Sequence, residues 1–179
     1  RRGYIQRDLV SGAYRLTLRL FELGHTHSPF EGLIAAADQP MRDLAEEIGQ
    51  ACHLSVMDYD QVLVLHQVES RSRVRISIET GSTHPLVRSA SGRVLIAALD
   101  ASRTARIMEE LQVSPEAEAR LTRRLNRIRS RGYEEAYSES IAGVTDLAVL
   151  VGSPEGKVNA ALAVAALPRR LATGEVDPS

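Results

Sequence analysis

Two blocks of strand-patterned sequence enclose a helical middle, and that order constrains the fold more than any single motif. In the early block, Cys52, Leu54 and Val56 alternate with His53 and Ser55, and Asp58-Tyr59-Asp60 turns the chain into Val62-Leu63-Val64-Leu65. Val74, Ile76 and Ile78 then alternate with Arg75 and Ser77, which predicts a third half-buried strand and an antiparallel meander. In the late block, residues 147–151 and 158–165 flank the turn Gly152-Ser153-Pro154-Glu155-Gly156-Lys157. Strands, then helices, then strands predict an α+β fold with an antiparallel sheet rather than alternating βα units.

The helices carry their own punctuation. Ser28-Pro29 reads as an N-cap and first-turn proline, and Gly49 stands where that helix should stop, with Pro40 expected to kink or split it near Asp38-Gln39. Ser89-Ala90-Ser91-Gly92 precedes the apolar run 94–99, a capped and buried helix. A short helix starts at Ser102 and ends near Leu111. Ser114-Pro115 opens another, with Ala117, Leu121, Leu125 and Ile128 on one face and Gly132 as its C-cap. The first 27 residues differ: 3–7 and 14–16 flank a turn at Gly12, and Leu16, Leu20 and Leu23 follow at helical spacing. A two-stranded ribbon with one helix is too small to be stable alone.

Composition removes several classes of function. The 179 residues, 44% hydrophobic, suit one ordinary domain or one domain with an appended segment. The lone Cys52 forms no internal disulfide, so a reducing, cytoplasmic setting is expected. The longest apolar run, residues 160–167, is too short to span a membrane, and Arg-Arg-Gly-Tyr-Ile lacks a signal peptide's apolar stretch. A formal charge of −1 argues against nucleic-acid binding by the chain as a whole. That charge averages a basic opening, with five Arg against Asp8 and Glu22, and an acidic remainder.

Catalytic motifs are missing from the sequence. There is no Gly-x-Ser-x-Gly elbow, phosphate-binding glycine loop or His-Glu-x-x-His. A metal site from Cys52 with His53, His66 or His84 has no specific spacing behind it, so no enzyme, cofactor or metal is expected. The bland reading is an inert thiol and strand-surface imidazoles. A hydrolase would need Ser91 or Cys52 beside a histidine in a cleft. Three features remain. The turn 89–92 entering a helix leaves backbone N–H groups for a ligand carboxylate, or serves only as a cap with Gly92 permitting close packing. Asp146 sits at the lip of an apolar strand, which matters only if it faces a cavity; Ala163 and Ala165 lie across from it, leaving space or allowing tight packing. Arg120, Arg123, Arg124, Arg127 and Arg131 are a solvated helix face before they are a DNA footprint.

In order along residues 3–170, these pieces resemble the IclR (isocitrate lyase regulator) family. Gly3-Tyr4-Ile5-Gln6-Arg7-Asp8 with Gly12-Ala13-Tyr14-Arg15-Leu16 looks like the wing of its winged helix-turn-helix, followed by its linker helix. Gly81-Ser82-Thr83-His84-Pro85-Leu86 through Arg93 resembles the glycine-proline-leucine stretch and buried helix of its effector domain, and Arg131-Gly132-Tyr133, Glu139 and Gly143 continue the pattern. The resemblance implies a GAF-like or profilin-like domain: a curved antiparallel sheet flanked by helices, preceded by a wing remnant and linker helix. It divides the chain into a partial wing (1–16), a linker helix (17–27) and an effector-binding domain (28–179) that lacks the usual long C-terminal helix. The recognition helix should precede the wing, so the chain is expected to be a fragment or the ordered part of a longer one.

By position, the resemblance implies a carboxylate at Ala90 and Ser91, with Ala136, Val144, Asp146, Ala163 and Ala165 lining the pocket. Arg2, Arg7 and Arg15 would meet DNA phosphates. Members that sense small keto acids carry Asp, Cys and two Ser where this chain has Ala136, Asp146, Ala163 and Ala165. A larger, less polar effector is therefore expected, with a phenol, alcohol or amine donor meeting Asp146. The implied partners are operator DNA, through a helix-turn-helix largely outside this chain, a small-molecule effector, and a second copy in a dimer or dimer of dimers. The alternative is a stand-alone GAF-like sensor acting through a protein partner.

Overall fold

The structure, a computed structural model, describes residues 3–26, 29–139, 142–152, 159–167, 169–170 and 176–177. It divides into two compact units, residues 1–36 and 37–179. The first holds an antiparallel ribbon of β1 (Ile5–Arg7) and β2 (Tyr14–Leu16), then α1 (Arg19–Thr26). Asp8 shapes the ribbon's turn by accepting from the backbone N–H groups of Val10 and Ser11 at 3.0 and 2.7 Å. Gly12 closes that turn at φ +73°, a conformation a side chain disfavours. Helix α2 (Glu31–Ile48) begins in this unit and ends in the next. Pro40 lies inside it without splitting it. Gly49, at φ +66°, ends it with its N–H on the Ala45 carbonyl. The proposed cap Ser28 falls outside the described residues.

The second unit is built on a curved six-stranded antiparallel sheet, in the order β5-β4-β3-β8-β7-β6. Its strands are β3 (Cys52–Asp58), β4 (Gln61–Val68), β5 (Thr83–Pro85), β6 (Tyr133–Tyr137), β7 (Thr145–Val151) and β8 (Ala160–Ala166). The expected strand at 74–78 does not form. Val64 exchanges backbone hydrogen bonds with Ser82 and Gly81, so the edge of β4 goes to the segment that leads into β5. Residues 75–77 are held instead by side chains: Glu69 accepts from Arg75 and Ser77. β6 is a strand that the hydropathy pattern did not announce. A small pair, β9 (Arg169–Arg170) and β10 (Val176–Asp177), lies outside the main sheet.

Between β5 and β6 run α3 (Ala90–Ala97), α4 (Ala101–Glu110) and α5 (Pro115–Arg131). All eight residues of α3 are buried. Val94, Leu95 and Ile96 pack with Leu121, Leu125 and Ile128 of α5 and with Ala148, Ala161 and Ala163 of the sheet. Those alanines let a helix lie close on the strands. Helix α4 is capped by Asp100 rather than started by Ser102, since the Asp100 carboxylate accepts from the Arg103 N–H. Helix α5 runs as its punctuation predicts, from the Ser114 cap to Gly132 at φ +84°. No helix among the described residues is long and apolar enough to cross a membrane.

Candidate functional site

The site begins at the N-terminus of α3. The Ser89 hydroxyl accepts from the Gly92 N–H at 3.1 Å, and Arg93 donates its N–H to the Ser89 carbonyl. That leaves the N–H groups of Ala90 and Ser91 with no partner among the described residues, at the positive end of the helix dipole. Gly92 is required here for space. A Cβ at this position would lie 1.9 Å from the Leu86 carbonyl oxygen.

Register brings the sheet to the same place. Asp146 pairs with Ala136 on one side and Ala165 on the other, while Ala163 pairs with Ala148 and His53. Opposed residues share a sheet face, so Asp146, two residues from Ala148, points to the side where α3 packs. Between the start of α3 and this face lies a cavity of about 310 Å³. Of the residues implied for it, Ala90, Ser91, Asp146 and Ala163 line it. Ala136 and Ala165 flank Asp146 without lining the cavity, and Val144 is buried but does not line it either. Arg7 and Arg15 lie on the exposed ribbon, where Arg7 donates to the Gly12 carbonyl and Arg15 to Gln6. Arg2 lies outside the described residues.

Sequence reasoning missed much of the wall. His53, His84, Arg88, Ser138 and Glu79 contribute polar groups, and Val62, Ile78 and Val164 contribute carbon surface. The lining is thus less purely aliphatic than the small residues at 163 and 165 suggest, and it contains no Phe, Tyr or Trp. His53 is not a strand-surface imidazole: it is 7% exposed. Burial, with a contribution from His84, pulls its pKa down to about 4. Asp146 is displaced upward by burial, against the pull of a Ser138 hydrogen bond and the Arg93 charge. Cys52 faces the other side of β3, where burial pushes the thiol up to about 11 and its S–H donates to the Met41 carbonyl. Ser91 shares the cavity with both histidines but hydrogen-bonds neither.

A buried ion-pair network braces the site. Arg93, 2% exposed on α3, donates to Glu134 on β6 at 3.0 Å, to Glu139 at 3.2 Å and to the Arg88 carbonyl at 2.7 Å. Arg124 of α5 shares Glu134, and Arg88 at the cavity wall shares Glu139. The arginine face of α5 therefore splits. Arg124 and Arg131 are bound to acids of β6, while Arg120, Arg123 and Arg127 face solvent.

Residues 30–178 match the family described as Bacterial transcriptional regulator IclR C-terminal. The chain belongs to the IclR family. Among relatives, it is 32% identical over 168 residues to the HTH-type transcriptional regulator KdgR of Escherichia coli K12, and 30% identical over 168 residues to the regulator of the same name from Dickeya chrysanthemi. These matches cover 90% of this chain but only 64% and 55% of the two relatives. Among solved structures, an IclR homologue of Microbacterium hydrocarbonoxydans complexed with 4-hydroxybenzoate is 27% identical, with a TM-score of 0.73 over 91% of this chain and 69% of that one. In this IclR-family chain, the α3 start and the β7–β8 face belong to the matched segment.

Proposed function

We propose that this chain is the effector-binding part of a ligand-responsive, DNA-binding transcriptional regulator, and that the cavity beneath α3 takes a small organic acid or aromatic acid. One observation carries the reading: a cavity with unpartnered backbone N–H groups at Ala90 and Ser91 on one side and the Asp146 carboxyl on the other. The N–H pair suits the acid's carboxylate, and Asp146 suits a donor at the opposite end. The regulators among its relatives, and the 4-hydroxybenzoate bound to a homologue, support the same assignment. The protein is a cytoplasmic sensor rather than a catalyst. Residues 1–16 are the wing, 17–27 the linker helix and 28–179 the effector domain, with Arg2, Arg7 and Arg15 on DNA phosphates. The chain works as a dimer or dimer of dimers, and the effector shifts the balance between arrangements by binding one more tightly.

Calorimetry tests the assignment. 4-Hydroxybenzoate should bind more tightly than glyoxylate or pyruvate, and the reverse order would overturn the stated preference. Asp146→Ala should change the affinity while sedimentation shows the same oligomer. Unchanged binding in that variant would remove Asp146 from the site.

A further inference from the structure

Two histidines line the cavity, and neither ring has a hydrogen-bond partner among the described residues. His53, on β3, is more than nine-tenths buried, lines the cavity, and makes no hydrogen bond to any described residue. His84, on β5, has its Nε2 atom shut off from solvent with no hydrogen-bond partner among the described residues. The pairing of β5 with β4 sets His84 opposite Val62, another wall residue, and its charge is felt by both His53 and Asp146. Buried polar groups in folded proteins are almost always paired, so the unmet Nε2 of His84, in one wall with the partnerless ring of His53, marks the place where a partner from outside belongs.

We infer that His53 and His84, with Asp146, form the hydroxyl-reading end of the cavity, so that the acid it takes is a hydroxylated one. This rests on the proposed acid-binding role of the same cavity. A neutral imidazole offers one N–H donor and one bare nitrogen acceptor, and a carboxylate offers acceptors only. A hydroxyl both donates and accepts, so one such group can serve an imidazole and Asp146 together. A second carboxylate would meet the carboxyl groups of Asp146 and Glu79, which disfavour it there. The ligand's own carboxylate then belongs at the other end, by the Ala90 and Ser91 N–H groups and Arg88. A metal ion is the weaker occupant, because no group of three or more His, Cys, Asp or Glu among the described residues could hold one.

Matched acids test the inference: 4-hydroxybenzoate against benzoate, 3-hydroxybutyrate against butyrate, and gluconate against hexanoate, titrated calorimetrically into the whole chain. In at least one pair the hydroxylated acid should bind about tenfold tighter or more, because its absence leaves buried polar groups unpaired. His53→Phe and His84→Phe should each collapse that ratio, with the loss falling chiefly on the hydroxylated acid. His53→Gln, with a melting curve for each variant, guards against a folding defect at this buried position. Imidazole nitrogen resonances of the unmutated chain give an independent readout: both rings should respond to the hydroxylated acid and not to its deoxy partner. Equal binding of both members of every pair, or silent imidazoles, overturns this inference and leaves the acid site standing. Failure of all these acids to bind overturns both. Saturable binding of zinc alone that shifts both rings would make this end a metal site and overturn the hydroxyl assignment.

Discussion

Arg93 is the residue on which the site's geometry rests. It is buried, yet it holds Glu134, Glu139 and the Arg88 carbonyl at once. Arg93→Met should destabilise the protein by about 3 kcal/mol, because Glu134 would keep its charge in a buried place with only Arg124 left to meet it. Urea denaturation measures this, and Arg93→Met/Glu134→Gln should recover part of the loss, since the stranded charge is gone. Other residues differ in how plainly the sequence announced them. Ser89, Gly92 and Asp146 could be singled out because a cap, a close approach and a strand-lip carboxyl each leave a local signature. His53 and His84 could not. His53 sits in a seven-residue strand and His84 in a three-residue one, with nothing local to mark either, and the cavity joins them only through the pairing of β5 on β4 and β4 on β3.

At the scale of elements, α3 carries the site. Its cap, its glycine and its all-round burial were legible in residues 89–99, and the α5 boundaries followed from Ser114-Pro115 and Gly132 in the same way. The strands divide differently. Alternation in 52–65 and the apolar late runs marked true strands. The same alternation at 74–78 did not, because a strand needs a free edge and β4 gives part of its edge to residues 81–85. β6 reads Tyr-Glu-Glu-Ala-Tyr and hides its pattern, since Glu134 turns inward only because Arg93 and Arg124 await it. For α3 the prediction is specific. Ser89→Ala removes the acceptor for the Gly92 N–H and should cost about 1 kcal/mol in a chemical denaturation midpoint. It should also weaken acid binding, because the Ala90 and Ser91 N–H groups lose the turn that aims them.

For the molecule as a whole, the buried histidine ties stability to pH. His53 titrates at about 4 in the folded protein, against the ordinary 6.5, so the unfolded chain takes the proton first. Stability should therefore fall as pH drops through that window, by up to about 3 kcal/mol when the whole window is crossed. Asp146 acts in the opposite sense: burial raises it, so the folded chain binds its proton first and its burial penalty is relieved as pH falls. Denaturation at about pH 7 and about pH 5 should show the loss in the parent chain and a smaller loss in His53→Phe. The same packing that makes His53 a liability at low pH places a neutral ring in the cavity wall where a ligand can use it. Backbone resonances of the chain, titrated with 4-hydroxybenzoate, test the cavity's role most directly. The account predicts saturable shifts centred on Ala90, Ser91, Asp146 and Ala163. Shifts confined to other surfaces, or none at saturating concentration, would contradict it.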